Sequence, residues 1–338
     1  MDKAATARKF PVGAEVLPGG VHFRVWAPKR KRVEVVLEDS PGPVTTGELL
    51  AVEMEAEADG FFSALVPEAS AGSLYRYRLD GGNRFPDPAS RFQPAGPHGC
   101  SEVIDAAPFE WHDADWRGVT RTGQVLYEMH VGTFTPEGTW EAACRELPEL
   151  AALGVTVLEV MPVAEFPGRF GWGYDGVDLF APTRLYGRPD DFRAFVDTAH
   201  RNGLGVILDV VYNHLGPEGN YLKQYSEDYF TNRYLNEWGE ALNFDGPNAA
   251  RVREFFCTNA EYWIREFHLD GLRLDATQQM FDFSPDHILA EIARRVRGAA
   301  GKRSVYVIGE NEPQNARNIL PPELGGHGLD AQWNDDFH

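Results

Sequence analysis

Three strings of the sequence end an apolar run on residues able to do chemistry. The first is Val206-Ile-Leu-Asp209-Val-Val-Tyr-Asn213-His214, where a run fit for burial carries Asp209 and hands over to an amide and an imidazole. Burying a carboxylate without partners costs several kcal/mol, so Asp209 is expected either to be hydrogen-bonded or to take part in chemistry. The second is Gly271-Leu-Arg273-Leu-Asp275-Ala276. Side chains alternate along a strand, which sends Arg273 and Asp275 to one side and Leu272 and Leu274 to the other. A guanidinium at that spacing holds a carboxylate charged and oriented, as a nucleophile requires. The third, Val305-Tyr-Val-Ile-Gly-Glu310-Asn311, repeats the design: an apolar strand that ends in an acid.

Two acids on neighbouring strand ends are the pair that glycoside hydrolysis uses, one attacking and one protonating the leaving oxygen. A separation of about 5–5.5 Å between the carboxyl groups would mean retention of configuration through a covalent intermediate. Asp275 is then the nucleophile and Glu310 the acid that arrives protonated. The competing account is a structural Arg–Asp pair beside an unrelated strand-end Glu, and spacing alone leaves it open. A further string, Gly171-Trp-Gly173-Tyr-Asp-Gly176, has the spacing of a dinucleotide fingerprint. Bulky aromatics stand inside it, and Val-Asp-Leu-Phe-Ala-Pro follows where the phosphate-binding helix should begin, so the fingerprint is rejected. It reads as a loop whose Trp172 and Tyr174 suit stacking on a sugar ring, a role that core packing competes for.

These residues need strands to hold them. Candidate strands at 125–131, 155–161, 205–211, 271–275, 304–309 and 329–333 alternate with helical patterns. The cleanest helix is 189–202, where Phe192, Phe195, Val196 and Ala199 recur at helical spacing between Pro189 and Gly203. Such alternation means parallel βα units, in a doubly wound sheet or a (β/α)8 barrel. In a barrel the C-terminal strand ends form the active-site face. Ahead of this lie short β-rich runs, Val21-His-Phe-Arg-Val-Trp, Val33-Glu-Val-Val-Leu, Phe61-Phe-Ser-Ala-Leu-Val and Leu74-Tyr-Arg-Tyr-Arg-Leu, separated by Gly and Pro. They predict an all-β, immunoglobulin-like sandwich. The expected division is a sandwich over 1–95, a connecting segment over 96–123 and a barrel region over 124–338 with an excursion at 214–246.

Composition narrows the partners. With 51 acidic residues against 32 Lys plus Arg, the net charge of -19 repels phosphate backbones and anionic lipid, so neither nucleic acid nor membrane is expected as a partner. A neutral ligand suits that field. Cys100, Cys144 and Cys257 match neither a disulfide framework nor a zinc site and read as free thiols. The first residues lack the apolar stretch of a secretory signal, and no uncharged apolar run approaches the roughly 20 residues of a membrane span, so the expected location is cytoplasmic.

Taken together, the strings resemble the α-amylase clan of retaining (β/α)8-barrel glycosidases, over nearly the whole chain. Asp209-Val-Val-Tyr-Asn213-His214 resembles its first motif, Gly271-Leu-Arg273-Leu-Asp275-Ala276 its second, and Gly309-Glu310-Asn311 its third. The resemblance implies Asp275 as nucleophile and Glu310 as acid/base. Tyr174, Asp209, Asn213, His214 and Arg273 would bind the sugar, with Tyr174 beneath it. The sandwich resembles the starch-binding-type module that precedes the barrel in several members. Within the clan, Tyr127-Glu-Met-His-Val-Gly-Thr-Phe-Thr-Pro-Glu-Gly-Thr, Gly216-Pro-Glu-Gly-Asn-Tyr, Gly309-Glu-Asn-Glu-Pro-Gln and Trp333-Asn-Asp-Asp-Phe-His are similar to trehalohydrolases. These release trehalose from maltooligosyltrehalose, an α-glucan oligosaccharide. Glycogen branching or debranching is the alternative within enzymes, and non-catalytic glucan binding the alternative outside them.

No metal or organic cofactor is expected, the His residues having no ligand spacing, although some amylases carry calcium. The clan's third carboxylate, on a seventh strand, would lie beyond Trp333. Six strands are legible, so the expected fold class is α/β, a barrel truncated after about six strands. A polypeptide of these 338 residues alone is expected to be inactive.

Overall fold

In the computed structural model, which describes residues 8–43 and 47–334, the N-terminal region forms two antiparallel sheets around one core. One sheet runs Gly13–Leu17, Gly20–Trp26, Phe61–Val66 and Glu55–Ala56 in spatial order. The other runs Glu48–Glu53, Val33–Glu38, Leu74–Leu79 and Arg84–Phe85, with Ser101–Glu102 also pairing to Leu74–Leu79. Alternation does the work: Val21, Phe23 and Val25 of one sheet meet Val33, Val35, Tyr75 and Tyr77 of the other in a closed apolar cluster. The four β-rich runs seen in the sequence all form strands, at Gly20–Trp26, Val33–Glu38, Phe61–Val66 and Leu74–Leu79. The edge strand Glu48–Glu53, exposed or half-buried throughout, and the short Glu55–Ala56 carry no clear alternation of burial and escaped that reading.

The second region holds six parallel strands, Leu126–Met129, Val157–Val160, Gly205–Val210, Gly271–Leu274, Tyr306–Glu310 and Ala331–Trp333. Their spatial order is their chain order. That removes the doubly wound alternative, in which the order must reverse at a switch point, and leaves the singly wound, curled sheet of a partial (β/α)8 barrel. The helices Trp140–Leu153, Pro189–Arg201, Ala249–Glu266 and Ile288–Ala300 pack on its outside.

Local chemistry sets the helix ends. The Thr139 hydroxyl accepts from the Ala142 N–H at 3.3 Å, and Gly154 closes the same helix at φ +100, a left-handed angle that favours glycine. Buried rings join neighbouring helices, Trp140 stacking on Phe192 at 4.2 Å.

The residues between the two regions are tied to both. Beyond the Ser101–Glu102 strand, Gly118 bridges Ser304, and Trp116 donates to Asp270 Oδ1 at 2.8 Å. His200 lies between Asp270 and Asp113, 2.9 Å from each, at the end of the barrel opposite the acids discussed below. The thiols of Cys100, Cys144 and Cys257 are free. Among the described residues no helix is long and apolar enough to cross a membrane.

Candidate active site

Parallel pairing fixes the height of each inward side chain. Glu128 pairs with Glu159, Glu159 with Ile207, and Ile207 with Gly271, which makes one layer. Two residues further along, Asp209 pairs with Arg273 and Arg273 with Ile308, which makes the next layer up. Asp275 and Glu310 follow two residues beyond Arg273 and Ile308, at the C-terminal rim. Period-two alternation therefore lifts a polar ladder up the inner face while Leu208, Leu272 and Leu274 enter the core shared with the helices.

Arg273 is the hub. Its Nη1 donates to both Asp209 oxygens, at 3.0 and 2.9 Å, and to Asp275 Oδ1 at 2.8 Å, while Nη2 lies 3.0 Å from Glu310 Oε2. A planar fork with donors on two sides suits this bridging. Asn213 Nδ2 donates to Asp275 Oδ2 at 2.7 Å and to the Asp275 carbonyl at 2.8 Å. The Asn213 amide oxygen meets Nδ1 of His214, whose ring lies 5.5 Å from that of Trp238. Tyr174 donates its hydroxyl to Asp209 Oδ2 at 2.9 Å. Glu310 accepts from the Ala276 N–H at 2.9 Å, a donor aimed by the left-handed Ala276 backbone at φ +38. All seven residues singled out in the sequence thus fall into one contact network.

Burial tunes the network. It pushes Asp209 up to about 7 against the pull of Arg273, with the Asp275 charge adding to the rise. His214 is held below the usual histidine range by burial, against the pull of Asp275. Tyr174 and Arg273 both sit above their ordinary values, Tyr174 through burial and the adjacent Asp209 charge, Arg273 because three carboxylates outweigh its burial. The GxGxxG string forms no helix N-terminus: Gly173, at φ +93, turns the loop tightly under Pro162 and delivers Tyr174 to Asp209, while Trp172 stays exposed.

One acid of the ladder escaped sequence reasoning. Glu159 is fully buried, neither carboxyl oxygen has a hydrogen-bond partner, and burial with the nearby Asp209 charge raises it to about 9. The signal was present, since Glu159 interrupts the apolar run Val157-Leu-Glu-Val-Met just as Asp209 interrupts its own. Among the described residues no group of three or more His, Cys, Asp and Glu side chains is arranged to hold a metal ion.

Comparison with known proteins agrees with this architecture. Residues 103–236 match the α-amylase catalytic domain, and residues 11–94 match carbohydrate-binding module 48, the isoamylase N-terminal domain. The chain belongs to the α-amylase superfamily of glycoside hydrolases. Among curated relatives, it is similar to the malto-oligosyltrehalose trehalohydrolase of Saccharolobus solfataricus, 46% identical over 94% of this chain and 54% of the relative. It is likewise similar to that of Deinococcus radiodurans, 44% identical over 97% of this chain and 51% of the relative. A crystal structure of a putative α-amylase from Salmonella typhimurium superposes with a TM-score of 0.88 at 43% identity, covering 97% of this chain and 55% of that one. The chain spans about half the length of the curated relatives it matches.

Proposed function

We propose that the protein carrying this chain is a retaining glycoside hydrolase that cleaves the α-1,4 bond next to the terminal trehalosyl unit of maltooligosyltrehalose and releases trehalose. The observation that carries the chemistry is the Arg273 fork, which touches Asp275 and Glu310 at once. The choice of substrate is supported by the relatives' names.

In this reading an Asp275 oxygen attacks the anomeric carbon while Glu310 gives its proton to the glycosidic oxygen, and trehalose leaves carrying that proton. Glu310, now a carboxylate, takes a proton from water. The resulting hydroxide displaces Asp275 from the same carbon, and both acids return to their starting states. Arg273 and Asn213 orient Asp275, Asp209 and Tyr174 brace Arg273, and His214 and Tyr174 contact the sugar. The sandwich is taken as immunoglobulin-like and the protein as cytoplasmic, the latter tested by cell fractionation.

Chromatography of a maltooligosyltrehalose digest made with the intact protein decides the product. Free trehalose with a shortened glucan is expected. New α-1,6 branches from amylose, or debranched glycogen, would replace this reading.

A further inference from the structure

The 214–246 excursion, which follows the strand bearing Asp209, reaches two places at once. Its short helix Leu222–Tyr225 sends the Tyr225 ring into the sandwich core, where it is buried beside Tyr77 at 6.3 Å. The Tyr225 hydroxyl donates to the carbonyl of Pro86 at 2.7 Å and to that of Phe85 at 3.2 Å. Adjacent contacts reinforce the grip: Tyr221 packs on Phe85 at 5.5 Å, and Arg30 donates to the Gln224 carbonyl at 2.9 Å. A few residues on, the hairpin of Phe230–Asn236 and Gly239–Leu242 returns to the acids. Asn236 Nδ2 donates to the Asn213 carbonyl at 2.7 Å, and Trp238 lies against His214.

We propose that the sandwich serves the site as a clamp, gripping the excursion through Tyr225 and so fixing Asn213 and His214 against Asp275. Long loops move unless something anchors them, and here the anchor is a buried ring with a satisfied hydroxyl. The sandwich's own surface supports the role. Trp26 and Phe61 join the barrel's core, Tyr75 and Tyr77 fill the sandwich, and Phe85 is half-buried against Tyr221. Among the described residues the exposed large apolar side chains of the module are aliphatic, Val16, Leu49 and Leu65, which offer no flat ring for a sugar to stack on. Tyr225 is then a positioning residue, and its effect on turnover rests on the function proposed above.

The test uses the intact protein with Tyr225→Ala, Tyr225→Leu and Tyr225→Phe, and with Phe23→Ala as control. Phe23 packs on Tyr75 at 4.8 Å in the same core, without belonging to the excursion. Tyr225→Leu refills much of the space and covers the case in which Tyr225→Ala does not fold. Hydrogen exchange over residues 226–242 and kcat/KM for trehalose release are read well below the melting temperature.

Tyr225→Leu and Tyr225→Ala should speed exchange in the excursion and lower kcat/KM by about 10–100-fold, the scale of an ångström misplacement, while Tyr225→Phe, which keeps the ring and loses only the hydroxyl's hydrogen bonds, should show a smaller change in the same direction. Phe23→Ala should lower the melting temperature and leave both readouts nearly unchanged. Unchanged exchange in folded Tyr225→Leu overturns the clamp, whatever the reaction turns out to be. So does an equal loss of kcat/KM in Phe23→Ala, which would mark general loosening. A protein that makes no trehalose but shows the exchange effect refutes the proposed substrate and retains the clamp.

Discussion

Replacing Glu159 by Gln should flatten the fall of stability with rising pH. Glu159 is fully buried with both oxygens unpartnered, and it faces Glu128 on one neighbouring strand, Asp209 on the other, and Arg273 and Glu310 across the curl of the sheet. Burial is the main cause that raises it from 4.5 to about 9, the carboxylates adding to the rise and Arg273 opposing it. An acid with a raised folded pKa holds its proton more tightly folded than unfolded. Stability is therefore fully present below the unfolded value and is lost as pH climbs toward the folded one. At about 1.4 kcal/mol per pKa unit, the ceiling over that window is about 6 kcal/mol. Asp209 contributes in the same direction, but its window closes near its value of about 7. Between pH 7.5 and 9 Glu159 is then the main contributor of the two, with a ceiling of about 2 kcal/mol that local relaxation lowers to about 1 kcal/mol. Gln keeps the shape and cannot ionise. Urea unfolding of the intact wild type and Glu159→Gln at several pH values in this range should give converging free energies at the acid end and a gap that widens with pH. Parallel lines would refute the reasoning, because the carboxyl would then titrate alike in folded and unfolded chains.

In the intact protein, Asp275→Asn and Glu310→Gln should each lower kcat by about 10³ or more with little change in melting temperature, and either variant keeping over a tenth of wild-type activity would remove that residue from the chemistry. Gly173→Ala would place a Cβ 1.9 Å from the Pro162 carbonyl oxygen at a φ of +93, so it should cost about 1–3 kcal/mol of stability and lower kcat/KM by moving Tyr174 off Asp209. Normal melting and kinetics in that variant would mean that the loop does not set the position of Tyr174.

Strand ends were legible because burial and polarity collide there. Asp209, Arg273, Asp275 and Glu310 each interrupt or terminate an apolar run, and alternation alone placed Arg273 and Asp275 on one side. The helix expected at 189–202 forms at Pro189–Arg201, its ends marked by proline and glycine chemistry. Strand order was not legible, since periodicity carries no information on which strands pair, and only the observed order of pairing excludes the doubly wound sheet. Nor was the reach of Arg273 across three strands visible: sequence spacing shows Asp275 two residues away, whereas Asp209 and Glu310 arrive through pairing. Tyr225 was hidden for a similar reason, as an aromatic residue in a long excursion gives no sign that its pocket lies in another module.

The Arg273 hub has an arithmetic that reaches past the reaction. One guanidinium touches three carboxyl groups, and Glu159 lies below them as a fourth acid held neutral in the mid-pH range. Even with Glu310 carrying the proton it donates, the Asp209 and Asp275 carboxylates face one guanidinium once the pH passes about 7, so the cup at the C-terminal rim then has a deficit of positive charge. Low-dielectric walls make such a deficit felt strongly by whatever enters. Small protonated amines, and sugar mimics with a basic nitrogen in place of the ring oxygen, should therefore be drawn into this cup in preference to their neutral counterparts. Their grip should weaken as the pH rises past the pKa of the amine.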